Sequence, residues 1–261
     1  MLMRWKVSLL FSKKENPTIH NKKAQSAMSF NKRRRVFLMR HGSVTYFDNE
    51  GKPYLPETVP LNEQGQAQTT AAGRVFAGAG IRFDKVIVSG LPRTVETAAR
   101  VLAETGQNIE FEHWPELVEI RGGKLSAIPD HQLREAFTGA FEGVPPEDKQ
   151  FLGGETVGEL MDRVYPAMDK LRADPEWDTV LMVLHGGVNR AILSYALTGQ
   201  RLFLGNLAQT AGCINAMDVG DAPSDWVVRL VNYSPPSELQ AESRGTTMEA
   251  LFEQYRKARG L

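Results

Sequence analysis

Short apolar runs alternate with longer stretches of helical composition along most of this chain. The runs occupy residues 36–39, 83–88, 109–113, 180–184, 213–219 and 226–231. Each is too short for a buried helix and is bounded by glycine, proline or charge, the pattern of a strand that is buried on one or both faces. Between them, Asn62 and Glu63 mark a helix start, and the helix should run to about residue 76. Pro92 suits a first helical turn, with helical composition continuing to Glu104 and stopping at Gly106. Residues 155–171 and 188–197 read as two more helices, the latter ending at Gly199. These signals rest on capping chemistry at the start and glycine at the end. Strands alternating with helices predict βαβ units and a largely parallel sheet, with 226–231 closing it beside 213–219.

The regularity weakens over residues 121–154, where glycines, Pro129, Pro145 and Pro146 surround one helix at 130–141. An insertion of that length reads as a lid. Residues 1–31 look unlike the rest. Their apolar patch, 7–11, is too short for a signal peptide, and the polar stretch after it reads as a disordered extension, with Met28 an alternative start. The compact domain is expected over 32–233. A Ser-Pro-Pro-Ser linker then leads to an amphipathic helix at 248–259, so that 234–261 forms a tail available for packing on a second subunit.

Composition narrows the partners. The 261 residues carry 31 Lys plus Arg and 31 Asp plus Glu, so there is no whole-protein field to attract nucleic acid or an anionic membrane. The four basic residues at 32–35 read as a solvated flank. The single cysteine, Cys213, cannot form an internal disulfide and reads as a core thiol, which points to the cytoplasm. No stretch is long enough to span a membrane.

The candidate chemistry sits at strand ends. Arg40-His41-Gly42 follows the run 36–39, and His185-Gly186-Gly187 follows 180–184. In open α/β sheets ligands bind at the carboxyl ends of strands, so the two histidines predict one site. Arg93 stands at the amino end of the helix opened by Pro92, where free amides and the dipole already favour an anion. Two arginines, two histidines and two helix amino ends converge on a phosphate-sized anion, and no carboxylate joins them at metal-ligand spacing. In this reading His41 attacks phosphorus, while Arg40, Arg93 and His185 grip the non-bridging oxygens. His185 serves best as imidazolium, so the histidines should differ in protonation and the rate should follow a bell in pH. Glu119, in Glu116-Leu117-Val118-Glu119-Ile120, is read at the end of a short strand as the acid for the leaving group.

Leu38-Met39-Arg40-His41-Gly42, Ser89 with Arg93-Thr94 and Thr97-Ala98, Leu117 with Glu119, and Leu184-His185-Gly186-Gly187 resemble the histidine phosphatase superfamily in order and spacing. The likeness runs from about Arg34 to Tyr233. It implies a three-layer α/β/α sandwich with helices on both faces of the sheet, a phosphohistidine intermediate, no metal and no cofactor. It gives Arg40, His41, Arg93, Glu119 and His185 the roles that the charge argument gave. Gly42 and Gly186 join them in substrate binding, with a hydroxyl from Ser43 or Thr45. The chain departs from the mutases of that superfamily: Ser43-Val44-Thr45-Tyr46 stands where they carry an acidic residue, a serine and a Trp-Asn pair. The expected activity is therefore metal-independent hydrolysis of a small phosphomonoester. A phosphoglycerate mutase-type transferase and an inactive phospho-ligand-binding module are the alternatives. Tyr46, Phe47 and Tyr54 point to a partly apolar leaving group. An esterase is disfavoured because no Gly-x-Ser-x-Gly elbow is present, and no glycine-rich nucleotide loop occurs.

Overall fold

Strand β1 (Arg34–Arg40) is the first element in a computed structural model that describes residues 33–260, apart from 49, 51 and 238–243. The extension expected over 1–31 lies outside the described residues. Helix α1 (Glu63–Gly78), strand β2 (Lys85–Val88), helix α2 (Pro92–Thr105) and strand β3 (Phe111–His113) follow. Then come helix α3 (Leu133–Thr138), helix α4 (Val157–Ala173), strand β4 (Thr179–Leu184) and helix α5 (Gly186–Thr198). Strands β5 (Ile214–Val219) and β6 (Trp226–Tyr233) and helix α6 (Thr247–Ala258) complete the chain.

The sheet has the order β3-β2-β4-β1-β5-β6. The first four of these strands are mutually parallel, while β5 and β6 are antiparallel additions at one edge. Side-chain alternation splits the core into two layers. Val36, Leu38, Val180, Met182 and Leu184 pack with α4 and α5, whereas Phe37, Met39, Leu181 and Val183 pack with α1 and α2. Strands covered on both faces have no polar side to show, which is why β1 and β4 read as unbroken apolar runs. On the second face Phe37, Phe76 and Phe83 meet edge to face at 5.1–6.1 Å. Among the described residues no helix is long and apolar enough to cross a membrane.

Three elements differ from the pattern. The strand expected at 116–120 is a 3-10 turn, Pro115–Leu117, followed by extended chain. Proline has no amide to give a ladder, and the amides of Leu117 and Val118 turn back to Trp114 and Pro115. The helix expected at 130–141 is broken into a 3-10 turn, the short α3, and a second 3-10 turn from Gly139. The tail helix α6 packs on its own chain: Tyr255 and Phe252 meet Phe137 of α3, and Tyr255 also meets Phe47.

Candidate active site

β1 and β4 are adjacent and parallel, with Arg40 opposite Leu184, so the next residue of each strand is a histidine. The rings of His41 and His185 lie 5.2 Å apart, centre to centre, and both are buried. Gly42 permits the turn out of β1 to lie on the start of α1: a Cβ there would stand 2.5 Å from the carbonyl oxygen of Gly65. Its amide donates to the Thr97 hydroxyl of α2 at 3.1 Å, which ties the loop to the helix that carries Arg93.

His41 Nδ1 donates to the carbonyl of Gly42 at 2.7 Å, since a carbonyl can only accept. That fixes the proton on Nδ1 and leaves Nε2 as the ring's electron-pair donor. Burial, then the positive charges of Arg93 and Arg40, hold His41 well below the ordinary 6.5 despite the Gly42 carbonyl. His185 is likewise held well below that value, by burial first and then by Arg93, His41 and Arg40. Both imidazoles are therefore neutral at pH 7 in the free site, whereas the sequence argument expected His185 as imidazolium. Only an arriving anion supplies the negative charge that reverses this.

His185 Nε2 lies 2.8 Å from the Ser89 hydroxyl, which in turn lies 3.2 Å from Thr94 Oγ1. Thr94 spends its one hydroxyl proton on the Leu91 carbonyl at 2.8 Å. Ser89 therefore donates to Thr94 and accepts from His185 Nε2, leaving Nδ1 of His185 without a proton. Three buried side-chain atoms among the described residues have no hydrogen-bond partner: Arg40 Nε, Arg93 Nε and His185 Nδ1. All three belong to the expected site. Each such group costs about 1–3 kcal/mol while unpaired. A tetrahedral oxyanion among them satisfies both arginine Nε–H donors, and His185 Nδ1 as well once that ring has taken up a proton.

One terminal nitrogen of each arginine is engaged. Arg40 Nη1 donates to the Gln209 carbonyl at 2.6 Å and to the Thr247 hydroxyl of α6 at 2.8 Å. Arg93, in the first turn of α2, donates Nη1 to the Pro56 carbonyl. Glu119 is half-buried and spans toward α5. The Gly187 amide donates to its Oε1 at 2.9 Å and its Oε2 at 3.1 Å, and the Ile120 amide donates to Oε1 at 3.0 Å. Arg40, Arg93 and Glu119 all line a cavity of about 610 Å³. Gly186 packs beside the Arg40 guanidinium. Ser43 is tied through its backbone to Gln68 and Asn62, and Thr45 lines a second, smaller pocket with its hydroxyl on Asn62. Neither hydroxyl lines the larger cavity.

Several contributors carried no local signal in the sequence. Arg163 of α4 donates to the carbonyls of Glu116, Val118 and Glu119 while pairing with Glu155, and so holds the segment that carries Glu119. Arg190, pushed down to about 10 by burial and by the charge of Arg40, donates to the Gly186 and Gly205 carbonyls. The Gln209 carbonyl and the Thr247 hydroxyl both hold Nη1 of Arg40. Among the described residues no three His, Cys, Asp or Glu side chains gather as a metal site.

Residues 36–234 match the histidine phosphatase superfamily, branch 1. The chain belongs to that superfamily. A 2,3-bisphosphoglycerate-dependent phosphoglycerate mutase of Rhizobium etli is 31% identical over 168 residues, which are 60% of this chain and 77% of the mutase. Solved phosphatase structures superpose as well. A mycobacterial glucosyl-3-phosphoglycerate phosphatase with inorganic phosphate aligns at a TM-score of 0.59 and 22% identity, over 77% of this chain and 98% of that one. The alpha-ribazole phosphatase of Shigella flexneri aligns at 0.57 and 21% identity, over 76% and 96%. At those identities the two likenesses establish the fold. The superfamily match ends before α6.

Proposed function

We propose that this histidine phosphatase superfamily member hydrolyses a small phosphomonoester through a phosphohistidine on His41, within a catalytic domain spanning residues 32–233. The observation that carries the reading is the set of three orphaned buried atoms, Arg40 Nε, Arg93 Nε and His185 Nδ1, around a neutral imidazole with its Nε2 lone pair available. A phosphoryl group entering there meets the two fixed arginine Nε–H donors on its non-bridging oxygens, preorganised groups of the kind that stabilise charge in phosphoryl transfer. Gly186 leaves room for the Arg40 guanidinium beside it.

His41 Nε2 attacks phosphorus, the bond from phosphorus to the ester oxygen breaks, and the departing alkoxide takes a proton from the acid form of Glu119. Water then attacks the phosphohistidine, the P–N bond breaks, and Glu119 receives the proton that water loses. The products are the alcohol and inorganic phosphate, with His41 and Glu119 restored. The dianion raises the proton affinity of His185, which then donates through Nδ1 while Nε2 stays on Ser89.

The Rhizobium relative favours a second reading, transfer of the phosphoryl group back to a bound acceptor. Assay of wild type and His41→Ala with p-nitrophenyl phosphate, beside 3-phosphoglycerate plus a bisphosphate primer, separates the two. Net phosphate release, lost in His41→Ala by at least about three orders of magnitude as expected for a nucleophile, supports hydrolysis. Rapid phosphoglycerate interconversion without net release overturns it. Release by His41→Ala at the wild-type rate removes His41 as nucleophile.

A further inference from the structure

The cavity that opens from Arg40, Arg93 and Glu119 is much larger than a phosphate needs, and its far walls are carbon. Its about 610 Å³ falls in the range of pockets that enclose whole organic ligands. Phe137 and Leu152 come from the 121–154 segment, Met248 and Leu251 from α6, and Phe47 and Tyr54 from the loop after β1. These walls are braced. A capping box between Thr246 and Glu249 starts α6, Phe252 and Tyr255 stack on Phe137 at 5.8 and 5.7 Å, and Thr247 reaches Arg40 at 2.8 Å.

We infer that α6 forms one wall of a leaving-group pocket, and that the substrate is a phosphomonoester of a bulky, uncharged, largely apolar alcohol or phenol; this rests on the hydrolytic reading above. The phosphate is placed by Arg40 and Arg93, so whatever is esterified to it projects into the same continuous cavity. Charge at the lining argues against an anionic leaving group. Apart from Arg40 and Arg93, the one cation of the lining is Arg121, which is exposed and lies 3.8 Å from the Glu155 carboxylate. A carboxylate on the leaving group would have to desolvate against Phe137, Leu152 and Met248 without a committed partner, which is costly. An aryl or alkyl group instead gains by leaving water. Because α6 lies beyond the superfamily match, this wall is contributed by sequence outside the shared domain.

The test is kcat/KM on the full chain for 1-naphthyl phosphate, glycerol 3-phosphate and 3-phosphoglycerate, measured as released phosphate. The expected preference for the naphthyl ester is at least about tenfold, the scale on which apolar pockets discriminate. Met248→Glu should collapse that ratio toward unity, chiefly through KM for the naphthyl ester, while Met248→Leu should keep it. Equal or better turnover of either polar ester by wild type overturns the inference and leaves the hydrolytic reading intact. Release from none of the three overturns the hydrolytic reading. Calorimetric titration with the matching phosphonates, which needs no turnover, then still scores the pocket: naphthyl phosphonate binding no tighter than the polar phosphonates overturns it. If Met248→Glu fails to fold, the wild-type ratio and the phosphonate ranking decide.

Discussion

The backbone amide of Gly187 donates to both carboxylate oxygens of Glu119, at 2.9 and 3.1 Å, and a Cβ on residue 187 would stand 2.6 Å from Oε1. The second glycine after His185 is thus explained by the Glu119 carboxylate that lies against it. Gly187→Ala should push Glu119 aside and lower kcat about 10–100-fold, the cost of a displacement near one ångström. The loss should be larger for alkyl phosphates, whose alkoxide needs a proton, than for p-nitrophenyl phosphate. Steady-state kinetics on the two ester types checks this, and equal losses would detach Glu119 from the leaving group.

Arg163 acts on the same carboxylate from behind, through three carbonyls of the 116–119 segment. Its side chain is mostly shielded and its partner Glu155 more so. Arg163→Ala strips the buried Glu155 carboxylate of its close ion pair, leaving the exposed Arg121 at 3.8 Å and the Arg121 amide, and should cost about 3 kcal/mol of stability, read from denaturant unfolding. Arg163→Lys keeps the charge but loses the planar fork. It should retain most of the stability yet show the alkyl-over-aryl rate loss described for Gly187→Ala.

Acid should destabilise the free protein through its two buried histidines. Their folded-state affinities for protons lie well below the ordinary 6.5, so the unfolded chain binds protons first as pH falls. The stability they contribute is complete above about 6.5 and is lost as pH drops below it toward their folded-state values. Thermal melts should show Tm falling between pH 7.5 and 5.5, with a smaller fall in His185→Asn. Saturating phosphate should reduce the drop, because the anion favours the protonated ring. By the same sign, the acid limb of the rate profile belongs below 6.5.

Chelation offers a sharper check on the charge argument. With the electrostatic work assigned to Arg40, Arg93 and His185 as proposed above, prolonged dialysis against EDTA should leave kcat/KM unchanged within about twofold, against the several kcal/mol a catalytic metal would supply. A rate restored only by added magnesium or zinc would contradict it.

The parts of the site that could be read from sequence are those written in adjacent residues. β1 and β4 announce themselves because burial on both faces demands unbroken apolar runs, and each histidine follows directly with its glycine. Glu119 was located by its spacing, but its strand was not real, because Pro115 cannot pair and the chain turns instead. Arg163, Arg190 and Gln209 were invisible for one physical reason. They bind backbone carbonyls or a guanidinium contributed by distant segments, and a carbonyl belongs to every residue. The tail helix was legible from its amphipathic period, yet its apolar face fits a neighbouring subunit as well as its own chain. Its contacts with Phe137, Phe47 and Arg40 assign it to its own chain.

The adjacency of β1 and β4 also has a kinetic meaning. The rings of His41 and His185 come from distant parts of the sequence and meet only across one parallel strand pair. Such pairs carry a heavy loop-closure entropy and tend to form late. A nascent or partly refolded chain can hold much of its helix and still lack any functioning centre, so recovery of turnover marks the moment when the middle of the sheet zips shut.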